Sequence, residues 1–171
     1  VQADPTILMD GDDPSKVTIS IPVDKVGSGS TWLPAIMNAF TRDHPEYFWI
    51  NAGQLAWTRT TDGDANNPRT YELSTKVDGL IYTGIDEDEL PKMWKDFNAK
   101  VDEIVNGAPS GPLKAITYFD NWLSLHNVYN SAGLGALNIS RCAYSGIMSD
   151  NSATDGPVCY GYATALKVLL D

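Results

Sequence analysis

Four side chains in this sequence are suited to nucleophilic or metal chemistry: Cys142, Cys159, His44 and His126. No two of them stand at a metal-ligand spacing, so no metal and no other cofactor is expected. Cys159 has the most informative surroundings, in the string DGPVCYGYATALKVLLD. Gly156 and Pro157 suit a turn into a helix with proline in its first turn, and Val158, Tyr162, Ala165, Leu166 and Leu169 then recur on one face. A cysteine in that first turn meets unpaired backbone N–H groups and the positive end of the helix dipole. Both favour thiolate over thiol and predict a pKa lowered from about 8.5 towards 7 or below. Thiolate is the nucleophilic form, and the same N–H groups can stabilise the oxyanion formed when it attacks a carbonyl. Gly161 costs about 1 kcal/mol in a helix interior, which predicts a close approach to the backbone at that point.

Each of these residues also has a plainer use. Free cysteine is among the most buried residue types, so Cys159 can be a core residue, and for Cys142 packing is the expected role. In an oxidising compartment the two can form a bridge that blocks the nucleophile. His44, in the corner RDHPE, is expected to pack or cap a turn, and His126, at a helix end, to meet the last carbonyls. Asp62, Asp64 and Asn66 resemble the start of a calcium loop, but Asn67 stands where glycine is needed and Leu73 where the bidentate glutamate belongs. Asn138-Ile139-Ser140 fits a glycosylation sequon, which is frequent by chance. Trp49 and Trp57 are expected in cross-strand or core packing rather than on a ligand surface.

The elements that position Cys159 follow from periodicity. Val17, Ile19, Ile21 and Val23 alternate as in a half-buried strand, and Thr31 can cap a helix with Trp32, Ile36, Ala39 and Phe40 on one face. YFWIN, QLAWTR, TYELSTKV and GLIYT are expected as short strands, with TDGDANNP a loop between them. The acidic run Asp86 to Glu89 precedes Leu90, Met93, Trp94, Phe97, Val101, Ile104 and Val105 at helical spacing. NGAPSGP ends that helix, and Leu113 to His126 is expected to run back antiparallel beside it. Cys142 to Met148 is expected as one or two helical turns.

Length and charge bound the possibilities. The 171 residues suit one domain or one domain with an added layer, and 43% hydrophobic residues are enough for a core. With 22 acidic against 12 basic residues and a net charge of -10, the surface repels phosphates, which argues against nucleic acid. No apolar run approaches the roughly 20 residues that span a bilayer. The amino end, VQADPTILMDGDDP, lacks an initiator Met and a signal-peptide pattern and looks already trimmed, a lean towards an extracellular or cell-surface protein.

GPVCYGYATALKVLLD resembles the nucleophile helix of the transglutaminase-like superfamily, whose bacterial members read G-V-C-x-G-Y-A-x-A-hydrophobic-K-x-L-L. AFTRDHPEYFWIN, FDNWLSLHNVYN and CAYSGIM resemble, in order, the motifs that lead up to it, so the likeness spans roughly Ala39 to Asp171. It implies a papain-like arrangement with Cys159 as nucleophile, a His on a following strand as base, and an Asp orienting that His. Tyr129, Asn130, Tyr160 and Gly161 would line the cleft. The sequence stops at Asp171, and neither His44 nor His126 matches the family's base, so the chain is expected to be inactive alone.

These readings combine into an α+β expectation: a small, mainly antiparallel sheet and helix at the amino end, followed by the helical half of a papain-like or transglutaminase-like core. Residues 1–84 would form the amino-terminal region and residues 85–171 the helical part. The expected activity is that of a cysteine enzyme acting on amide bonds of protein or peptide substrates through a thioester at Cys159. The alternative is a non-catalytic surface or binding module that retains the fold. A carboxy-terminal segment or a second copy is the expected cover for the apolar face of the last helix.

Overall fold

The computed structural model describes residues 6–10, 13–22, 33–50, 58–60, 70–74, 85–86, 88–135 and 138–171. The chain divides into two compact units, Val1–Phe40 with Asn51–Ile81 and Thr41–Ile50 with Tyr82–Asp171. In the first, the backbone of β1 (Thr6–Asp10), β2 (Asp13–Pro22), β3 (Thr58–Thr60) and β4 (Thr70–Ser74) pairs antiparallel in the order β1-β2-β4-β3. Ile19 lies opposite Ile7 on one side and Leu73 on the other. GLIYT, the turn at 27–30, the acidic loop at 61–68, Trp57 and the Thr31 cap lie outside the described residues.

The expected α+β class is corrected to a helical one. A fold class rests on the core its elements bury, and every described core residue belongs to helices or to the turns between them, with no strand or sheet among them. YFWIN shows the physical reason. A half-buried strand hides every second side chain, whereas Phe48, Trp49 and Ile50 are all buried in succession. The segment is a run of tight turns after Pro45, closed by Tyr47 N–H to the His44 carbonyl (3.3 Å) and Ile50 N–H to the Tyr47 carbonyl (3.1 Å).

Those turns follow α1 (Leu33–Asp43) and deliver their aromatic rings to α2 (Leu90–Asn106). Trp49 meets Trp94 edge-on at 5.0 Å, and Phe48 lies 5.0 Å from Phe97 and 4.8 Å from Tyr144. Trp49 is therefore core. α2 starts beyond a turn in which Asp86 accepts from the Asp88 N–H (3.0 Å), carries Pro91 in its first turn, and buries Leu90, Phe97 and Ile104 along one stripe. The ion pairs on its outer face, Lys92–Asp96 and Lys100–Glu103, are exposed and add little.

α3 (Pro112–His126) buries Phe119 and Leu123. It packs chiefly on α5 (Cys159–Leu170) and scarcely on α2, so the expected antiparallel pair is not the organising contact. The short loop joins the two helices, yet α2 packs mainly on α4 and α3 mainly on α5. α4 (Ala143–Met148) crosses α5 most closely. A Cβ placed on Gly146 would sit 2.5 Å from that of Ala165, so only glycine allows this spacing. Covered by α2, α3 and α4, α5 is the central element, burying Gly161, Thr164, Ala165 and Leu169. No helix among the described residues is long and apolar enough to cross a membrane.

Candidate thiol site at the start of α5

Cys159 is the first residue of α5, and its side chain is a free, exposed thiol. Val158 precedes it in extended conformation and offers no side-chain cap, so among the described residues no side chain caps the N–H groups of the first turn. Val158 is held from behind: its N–H donates to the Ser140 carbonyl at 2.9 Å and its side chain is 1% exposed. Pro157 is fixed by its carbonyl, which accepts from the Asn130 N–H at 3.2 Å. The start of the helix is thus tied to two segments that are distant in sequence.

Asn130 joins those segments. Its Nδ2 donates to Ser140 Oγ (2.9 Å) and to the Thr154 carbonyl (2.7 Å), while its Oδ1 accepts from the Gly133 N–H (3.0 Å). The side chain is buried, so these bonds replace water. The loop before Cys159 also bends through Asp150 (φ 45°) and Asn151 (φ 64°), residue types that tolerate the left-handed region, and Asn151 N–H donates to the His126 carbonyl at 2.9 Å.

Of the residues the sequence singled out, Tyr129, Asn130, Cys159, Tyr160 and Gly161 come together here. Tyr129 is exposed and stacks on Tyr162 with ring centres 6.2 Å apart and planes at 7°. Burial, then the neighbouring Tyr129, raises the Tyr162 pKa. Tyr160 is half-buried beneath the Arg141 guanidinium, 5.9 Å from its ring centre. Tyr160 and Tyr162 flank Cys159 on the helix surface. Asn130 and Gly161 are buried and act as support. The close approach predicted for Gly161 is made by the protein itself: a Cβ there would run into the Ser140 carbonyl and lie 2.9 Å from Ser145 Oγ.

Ser140 and Arg141 had no signal in the sequence. Ser140 was visible only as the last residue of a sequon, yet it is 1% exposed and bonded to both Asn130 and Val158. Arg141 closes a short 3-10 turn, Ile139–Arg141. The histidines are occupied elsewhere. His44 Nδ1 pairs with Glu46 at 2.9 Å; His126 Nδ1 bonds the Trp122 carbonyl at 2.8 Å and its ring stacks on that of Trp122 at 4.4 Å. Among the described residues, no group of three or more His, Cys, Asp and Glu side chains is placed to hold a metal ion.

Cys142 is the opposite of Cys159. It is buried, its Sγ donates to the Ile139 carbonyl at 2.9 Å, and burial pushes its pKa up to about 12. An acid whose pKa is raised on folding favours the folded state while both forms are protonated. That contribution falls between the ordinary value of 9.0 and about 12 as the unfolded thiol ionises. Cys142→Ala is therefore expected to flatten the alkaline loss of stability by about 1.4 kcal/mol per pH unit in that window, read by urea titrations at several pH values. An unchanged slope would contradict the buried thiol.

Comparison with protein-family models, curated proteins and solved structures returned no match to this chain.

Proposed function

We propose that the chain carries the nucleophile of a transglutaminase-like cysteine enzyme that acts on amide bonds of protein or peptide substrates. The observation that carries this proposal is the exposed thiol of Cys159 at an uncapped helix start, held rigidly from behind by Ser140 and Asn130. The Cys159 sulfur attacks the carbonyl carbon, and first-turn N–H groups receive the oxyanion. The C–N bond then breaks, the amine leaves with a proton, and a thioester remains. Water resolves it to a carboxylic acid, and an amine resolves it to a new amide. The resemblance matches neither His44 nor His126 to the family's base, so on this reading the proton-transferring base comes from a carboxy-terminal segment or a second copy docked beside α5. The net charge of -10 favours protein or peptide substrates over nucleic acid.

Alkylation of the folded protein by iodoacetamide near neutral pH, followed residue by residue with mass spectrometry, tests this. Cys159 is expected to react at least several-fold faster than glutathione, and Cys142 only on unfolding. A Cys159 rate equal to or below that of glutathione would overturn the enzyme assignment and favour a binding module.

A further inference from the structure

We infer that Arg141 forms a carboxylate-binding subsite beside Cys159, so that the preferred acyl substrates carry an acidic group next to the amide that is attacked. The inference rests on Cys159 as nucleophile. Arg141 directly follows Ser140, whose carbonyl binds the Val158 N–H at 2.9 Å, and its guanidinium lies 5.9 Å from the ring centre of Tyr160. Its backbone neighbour Ser140 thus bonds the residue before Cys159, and its guanidinium lies over the ring of the residue after it. No carboxylate lies within 4.0 Å of it among the described residues, and the Tyr160 ring is its only side-chain partner there.

Among the described residues the guanidinium is half-buried with no carboxylate beside it. A ring face holds the cation in place but leaves its in-plane N–H donors open, and their fork matches the two oxygens of a carboxylate. Arg141 and Tyr160 also line one concavity, whose other walls include Pro45, Phe48 and Ile50, so the guanidinium borders a recess rather than a flat surface. Arg141 is a specificity residue on this account. It holds the substrate's anion and takes no part in proton or acyl transfer.

The sign of the charge effect makes this testable without turnover. A protein of net charge -10 repels an anionic reagent, so attraction at Cys159 needs a local positive field, which the first turn of α5 and Arg141 can both supply and the Arg141 variants separate. The probes are iodoacetate, which is anionic, and iodoacetamide, its neutral counterpart; with both, the sulfur displaces iodide and forms an S–CH2 bond. The ratio of iodoacetate to iodoacetamide rates at Cys159 is expected to exceed that of glutathione. In Arg141→Gln the ratio should fall about fourfold while the iodoacetamide rate holds, and Arg141→Lys should keep most of it.

Added salt gives an arm that needs no variant. It should slow iodoacetate at wild-type Cys159 if the local cation governs, and speed it if the overall negative field does. Fast iodoacetamide labelling with a ratio that ignores Arg141→Gln, or a salt effect of the second sign, overturns the subsite and leaves the nucleophile standing. Slow iodoacetamide labelling removes the nucleophile and the subsite with it.

Discussion

Phe97→Ala is expected to destabilise the helical unit by about 4 kcal/mol, the largest effect of any single truncation in this core. Phe97 is 0% exposed, lies 5.0 Å from the ring of Phe48, and stacks on Tyr144 at 6.1 Å. Removing the ring leaves a cavity whose walls are three different segments: the turns after α1, α2 itself and α4. Helix ends and turns of that kind cannot collapse onto one another without giving up their own hydrogen bonds, so most of the cavity should persist. Urea denaturation followed by tryptophan fluorescence reads the change, since Trp49 and Trp94 belong to the same cluster. Phe97→Leu should lose much less. A loss below about 1 kcal/mol for the alanine variant would mean that the aromatic cluster is not the core of this unit.

Asn130→Ala is expected to cost about 3 kcal/mol through polar rather than apolar loss. It strips the Gly133 N–H, the Thr154 carbonyl and Ser140 Oγ of one partner each in a site with little access to water. Asn130→Asp is informative because it retains an acceptor for Gly133 but turns a second oxygen towards the Thr154 carbonyl, so it should also destabilise. Both variants should loosen the loop that delivers Cys159. The measurements are the urea midpoint and the rate of limited proteolysis between residues 149 and 157. Unchanged proteolysis with a small shift in midpoint would show that Asn130 does not hold the start of α5.

The helices were largely legible, and the reason is local. Leu90, Phe97 and Ile104 recur so that one face of α2 is apolar whatever it packs against; proline opens both α2 and α3, and Gly107 closes α2. YFWIN was misread because aromatic content favours strands on average, while three consecutive buried side chains require turns and a surrounding core, which a short string does not display. The partnership of α3 with α5 was missed for a related reason. Periodicity states which face is apolar, never which neighbour will cover it.

The two cysteines divide what each level determines. From sequence alone, Pro157 and the apolar spacing after it put Cys159 in the first turn of a helix, and no residue beyond that string is needed to say so. Whether that thiol or Cys142 reaches solvent was decided only by the tertiary structure, which covers α5 with three helices and leaves its first residue open. Ser140, Asn130 and Arg141 meet the residues that flank Cys159 through contacts between segments far apart in the chain. Such contacts depend on how whole elements dock, and a local pattern of residue types carries no record of docking.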